Sequence, residues 1–223
     1  MGESILLPLK DMLHTISSGL LMPAIAILLL LLVLSVVELG GLLVEALTER
    51  RKMKVNVSEL VDAFQGKETG EIMNEIERSR LFRRQKAALG ELSKHSNLPA
   101  DSLRALARRL LAGEELHYAR ITTRTDLVAR LGPMLGLMAT LIPLGPGMIA
   151  LGQGDTKTLA DSLLTAFDAT VTGLAAAGVA FIISRLRKQW YEDYLSSLEA
   201  LMESLLEVFA HRRWIEEQQA QDG

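Results

Sequence analysis

Two apolar stretches lying close together, 128–151 (VARLGPMLGLMATLIPLGPGMIAL) and 159–186 (LADSLLTAFDATVTGLAAAGVAFIISRL), constrain what this chain can fold into. Each is long enough to cross a bilayer as a helix, the one open structure that satisfies every backbone polar group of a lipid-embedded segment by itself. An anchoring helix needs only aliphatic side chains. Both carry hydroxyls and glycines, the first has three prolines, and the second holds Asp168. Polar groups are costly in lipid, so their presence points to helices that line an ion path.

A third stretch, 19–37 (GLLMPAIAILLLLLVLSVV), carries no charge and at 1.5 Å per residue spans roughly 28 Å, the thickness of a bilayer core. Its aliphatic centre reads as a lipid-facing wall, with Glu38 and Glu45 near or beyond its exit. Charged residues make up 23% of the chain and apolar residues 49%, so the uncharged runs mean that hydrophobicity is gathered into blocks. The expected fold is an all-α integral membrane protein with three transmembrane helices and long helices extending into the cytoplasm. Residues 1–18 read as an amphipathic helix outside, with apolar Ile5, Leu6, Leu9, Met12, Leu13 and Ile16 at helical spacing. The acidic start at Glu3 and the lack of a small-residue cleavage site argue that this segment is retained.

The remaining segments follow in order. The first transmembrane helix covers 19–45, and 46–127 is a cytoplasmic helical domain. Within it a short helix is expected over 58–64, another over 70–96, and a third that Asp101 caps and that runs into the second span, with room for a kink near Gly113. The second span covers 128–151, a short outside loop 152–158 follows, the third span covers 159–186, and 187–223 is a cytoplasmic C-terminal helix. In that helix Tyr191, Tyr194, Leu198, Leu201, Leu205 and Val208 form a seam of alternating three- and four-residue spacing, which packs on a neighbour within or between subunits. Tyr191 and Tyr194, with Trp190, also fit an interfacial aromatic belt. Orientation comes from basic residues: Arg50, Arg51, Lys52 and Lys54 follow the first span, Arg120, Arg124 and Arg130 flank the start of the second, and Arg185, Arg187 and Lys188 close the third. Positive-inside bias then places the N-terminus outside and the C-terminus in the cytoplasm of a multi-pass protein of the cell inner membrane.

Several function classes fall away. With 24 basic against 27 acidic residues the net charge is −3, which leaves no electrostatic footprint for nucleic acid. The chain has no cysteine, and His14, His95, His117 and His211 are too scattered for a metal site. Glutamates and arginines in the polar segments have the spacing of ion-paired solvated helix faces, so no enzyme and no cofactor is expected. Three spans without an internal repeat disfavour a secondary transporter. The surviving alternative is a non-conducting membrane scaffold that anchors a cytoplasmic helical assembly.

The second span holds Gly132 and Gly136, with Pro133, Pro143 and Pro146, and each proline removes a helical donor from a carbonyl that protein or water must then satisfy. Thr140 lies near the midpoint; taken alone, it is expected to back-bond to its own helix. At 100° per residue, Ala166, Ala169, Gly173, Ala176, Ala177, Ala180 and Ser184 form one small-residue stripe on the third span, of the kind that lets backbones approach closely. Thr165, Asp168 and Thr172 form an adjoining polar face, and Thr170 lies on the other side of the stripe. Asp168 is a functional candidate because an intramembrane acid costs several kcal/mol unless paired or hydrated; the alternative is an acid near enough to the outer interface to snorkel.

The pairing of LGPMLGLMATLIPLG with LLTAFDATVTGLAAAGVA resembles the second and third spans of the MotA/TolQ/ExbB proton channel family, most nearly its TolQ/ExbB branch. Matching by motif, the second-span threonine of that family falls on Thr140 and the third-span threonine on Thr170. Such sequences commonly carry an acid where Thr165 stands here, Ala139 replaces the glycine before the threonine, and the extra Pro143 and Pro146 are unusual among them. The resemblance implies a homopentamer whose second and third helices surround a hydrophobic pore. It further implies a single-transmembrane ExbD/TolR-like partner in that pore bearing a protonatable aspartate, H⁺ or Na⁺ as the driving ion, and membrane lipid around the assembly.

Overall fold

The computed structural model describes residues 12–13, 15–49, 57–67 and 69–221. Most of the expected N-terminal helix, and Arg50, Arg51, Lys52 and Lys54, lie outside the described residues. Along the chain come α1 (Leu21–Glu49), α2 (Val57–Phe64), α3 (Thr69–Arg78), α4 (Arg83–Lys94), α5 (Ala100–Gly152) and α6 (Thr156–Gln221), with no strand among the described residues. Three helical stretches are long and apolar enough to cross a membrane: Thr15–Leu47, Ala100–Gly152 and Thr156–Gln219. With 53 residues in α5 and 66 in α6, both helices far outrun a hydrocarbon core of ~30 Å.

Local chemistry sets the helix ends, in three places differently from expectation. The helix expected over 70–96 is two helices, because at the break Ser79 donates its hydroxyl to Ile76 O at 2.5 Å and the Phe82 amide donates to Gln85 Oε1 at 3.2 Å. Those bonds end one helix and start the next. Asp101 is not a cap: α5 begins at Ala100, directly after Pro99, and Asp101 is a first-turn acid at the positive end of the helix dipole. The helix then runs unbroken through Gly113 and through Pro133, Pro143 and Pro146. Asp155 caps α6, accepting the Thr158 amide at 3.1 Å and the Thr158 hydroxyl at 2.5 Å. These bonds, the hydroxyl's first, hold its carboxyl below the usual range.

The chain divides into two compact units, 1–43 with 122–186, and 44–121 with 187–223. In the second, Phe64, Ile72, Ile76, Leu89, Leu92 and Leu103 pack with Leu198, Leu201, Leu205 and Phe209 in one core. The three- and four-residue seam of α6 is thus covered within the subunit by α2–α5, each large side chain removed from water contributing about 1.5–3 kcal/mol. Tyr194 belongs to this core and meets Tyr118 at 4.9 Å and Phe82 at 5.6 Å between ring centroids, while Tyr191 meets Tyr118 at 4.2 Å. Burial pushes both Tyr191 and Tyr194 hydroxyls above the ordinary phenol range.

In the first unit α1 presents Ala24, Leu28, Leu31 and Ser35, a helical stripe, to the other two apolar helices. Ser35 donates its hydroxyl to Ala176 O at 2.9 Å, so the wall helix is tied to α6 by a buried polar bond. Its other faces, with Met22, Leu30, Val33 and Val37, are exposed. Apolar side chains gain little by leaving lipid, so contact between such helices rests on close packing of small residues and on bonds of this kind.

Candidate ion path

The seam between α5 and α6 is built by glycine and alanine. The small residues of α6 predicted to form a stripe, Ala166, Ala169, Gly173, Ala176, Ala177, Ala180 and Ser184, are all buried. A Cβ added at Gly132 would lie 2.7 Å from Gly173 O, and one added at Gly173 would lie 2.6 Å from Gly132 O. The two backbones therefore touch, and no side chain fits between them.

These contacts also set the register. Gly132 faces Gly173 and Ala177, Gly136 faces Ala169, Gly173 and Thr170, and Gly147 faces Ser162. Advance along α5 is matched by equal retreat along α6, so the helices are antiparallel. Continuing that register places Thr140 about one helical turn along the seam from Thr170, whose backbone stands against Gly136. Both are half-buried at the edge of the seam. Thr140 donates its hydroxyl to Leu137 O at 2.6 Å and Gly136 O at 3.0 Å, and Thr170 donates to Ala166 O at 3.1 Å. A hydroxyl that donates to its own helix keeps its lone pairs for an ion or a donor. Pro143 and Pro146 lack the N–H that would bond the carbonyls of Ala139 and Ile142, which adds acceptors on either side of Thr140.

The third-span candidates do not all meet. Asp168 lies two residues before Thr170, roughly 200° round the helix and so on nearly the opposite side. It is exposed in the single subunit, as is Thr165, whose hydroxyl bonds Asp161 O at 2.9 Å; Thr172 is half-buried on that same face. The structure thus separates a hydroxyl pair at the seam from an acidic, hydroxyl-bearing face beside it. Of the remaining packing residues, Gly132, Gly136, Gly173 and Pro143 are buried, whereas Pro133 and Pro146 are exposed.

A model of the MotA/TolQ/ExbB proton channel family matches residues 71–200. The chain belongs to that family. The matched stretch begins in α3, takes in both helices of the seam and ends in α6, so the family's shared sequence includes the seam and much of the second unit. Membership makes this a multi-pass membrane protein of a transport family, a subunit of the ion-channel and motor class. No curated protein matches the chain in sequence.

Two polar constellations escaped the sequence reading. Ser184 donates its hydroxyl to Asp126 Oδ1 across the seam, and Thr122 and Thr125 are buried next to that bond on α5. In the second unit Arg187, which served above only to orient the chain, is buried and donates from Nε to Glu45 Oε2 at 3.2 Å. Glu45 also accepts the Tyr191 hydroxyl at 3.1 Å. An acid expected at the edge of the membrane is therefore half of a sheltered ion pair. Among the described residues no group of acids or histidines is arranged to hold a metal.

Proposed function

We propose that the chain is the channel subunit of a proton-driven, or Na⁺-driven, inner-membrane motor of the TolQ/ExbB type, which passes the energy of the ion gradient to a single-span partner protein. In this reading five copies surround the partner's helix, the N-terminus lies outside and the C-terminus in the cytoplasm. The observation that carries it is the register of the seam, which supports a Thr140–Thr170 pair within about one helical turn of each other, beside carbonyls deprived of helical donors. Such a ring of hydroxyls and carbonyls solvates a cation or a hydronium without binding it tightly. An acid on the partner then takes up and gives off the proton against this ring. The membrane potential supplies about 2.3 kcal/mol per charge per 100 mV, enough to bias rotation of one component within the other.

Asp168, with Thr165 and Thr172, forms a separate polar face near the start of the third span, where it serves as the outer mouth of the path. The apolar exposed faces, among them Met134, Leu137, Phe167 and Val171, are available to neighbouring subunits, the partner and lipid.

The scaffold reading has one observation in its favour, namely that Thr140 and Thr170 spend their protons on their own helices. It leaves the three prolines and Asp168 without a role. The test is reconstitution: the chain copurified with a single-span partner at unequal stoichiometry, placed in vesicles, and probed for proton uptake under an imposed potential. A complex that assembles with its partner and passes no ion at any potential would make the chain a scaffold.

A further inference from the structure

Fourteen residues separate Asp126 from Thr140 on α5, and fourteen separate Thr170 from Ser184 on α6. Because the helices are antiparallel, the Asp126–Ser184 hydrogen bond stands across the same seam as the threonine pair, about 21 Å further along at 1.5 Å per residue. It is a built polar site in a seam otherwise made largely of small and apolar residues. Ser184 is 4% exposed, and on the facing helix Thr122 is 6% and Thr125 1% exposed. Thr125 donates to Thr122 O at 2.9 Å. Burying this many polar groups where aliphatics would pack as well is costly, and the cost is met here by the hydrogen bonds these groups make. Thr122 precedes Thr140 by five whole helical turns and Asp126 lies about 40° from that line, so all three belong to one stripe of α5. Arg124 and Arg130 on α5, and Arg185 on α6, lie at this same end.

We propose that Asp126 and Ser184 form a second, inner station of the ion path, which receives the proton or monovalent cation after it passes the Thr140–Thr170 level and hands it to cytoplasmic water. The Asp126 carboxylate takes the incoming proton and becomes a carboxylic acid; the same proton then leaves to water and the carboxylate is restored. The Ser184 hydroxyl holds the carboxyl at the seam and, with Thr122 and Thr125, keeps the approach hydrated. This inference rests on the ion-path reading above.

The test is potential-driven proton flux, followed with a pH-sensitive dye, through the full complex with its partner in vesicles. Asp126→Asn keeps the size of the side chain and an acceptor for Ser184, so a structural role would survive it, whereas a proton station would not. The expected results are flux reduced about tenfold in Asp126→Asn, largely restored in Asp126→Glu, and lowered several-fold in Ser184→Ala, with unchanged subunit stoichiometry. If Asp126→Asn does not assemble, Ser184→Ala and Asp126→Glu carry the test, and wild-type flux in Ser184→Ala overturns the proposal. Wild-type flux in Asp126→Asn and Ser184→Ala, alongside a dead Thr140→Val control, removes the inner station and leaves the ion path standing. Wild-type flux in all three removes the path itself.

Discussion

Gly173→Ala is the sharpest structural perturbation available, because it adds one methyl group where two helix backbones touch. The new Cβ would stand 2.6 Å from Gly132 O, 3.1 Å from Gly136 Cα and 3.3 Å from Leu28 Cδ2. The first of these is about 0.8 Å short of ordinary van der Waals contact, and its partner is backbone that no rotamer change can move. The α5–α6 seam must open, or α6 must slide, and overpacking of this kind costs about 1–3 kcal/mol, partly offset by the better helix propensity of alanine. Opening the seam also shifts Thr170 relative to Thr140, so flux falls along with stability. Gly136→Ala is the control: its nearest neighbour would be at 3.4 Å, and it is expected to cost under about 0.5 kcal/mol. Gly178→Ala, where nothing lies within 4 Å, is expected to be neutral or slightly stabilising. Thermal unfolding of the purified protein in detergent, with flux in vesicles, reads all three. Equal stability of Gly173→Ala and Gly136→Ala would refute the close approach and with it the register that brings the threonines within a turn of each other.

Other outcomes follow from sites outside the seam. Arg187→Met strands the Glu45 carboxylate, whose side chain is 20% exposed, and is expected to destabilise the protein by about 3 kcal/mol in denaturant unfolding. The double variant Arg187→Met, Glu45→Leu should lose less than the single one, and the reverse order would argue against a sheltered pair. At the α6 cap, the Asp155 carboxyl is held below its ordinary value of 3.8, so its contribution is fully present above pH 3.8 and is lost as the pH falls through the depressed folded value. Asp155→Ala should therefore speed amide exchange around Thr158 at neutral pH and make no difference in strong acid; an equal effect at both would show that the cap does not act through its charge.

The helices that span were legible because lipid permits so few solutions: an apolar run of sufficient length reads as a helix, and Ala166, Ala169, Gly173 and their neighbours fall on one side of theirs by period alone. The side of the molecule on which each polar residue ends up was less legible. Thr170 and Asp168 stand two residues apart and helical period alone puts them on opposite sides of the small-residue stripe, but only the contacts of Gly132 and Gly136 show which side meets α5. Asp126 drew no notice in the sequence and Arg187 served only to orient the chain, because a charge in a polar stretch carries no mark of the partner it will meet; Ser184 and Glu45 lie 58 and 142 residues away from them in the chain. The break at Ser79–Phe82 was missed for a local reason, since a serine and a glutamine at helix ends compete with the backbone in ways that hydrophobic period does not register.

The central claim is that an ion passes the level of Thr140 and Thr170. Its most direct test is potential-driven proton flux in vesicles holding the assembled complex with Thr140→Val and Thr170→Val, substitutions that keep the β-branched shape and remove only the hydroxyl. The account predicts that each variant assembles like wild type and that flux in each is abolished. Wild-type flux in both, with the complex intact, would contradict it.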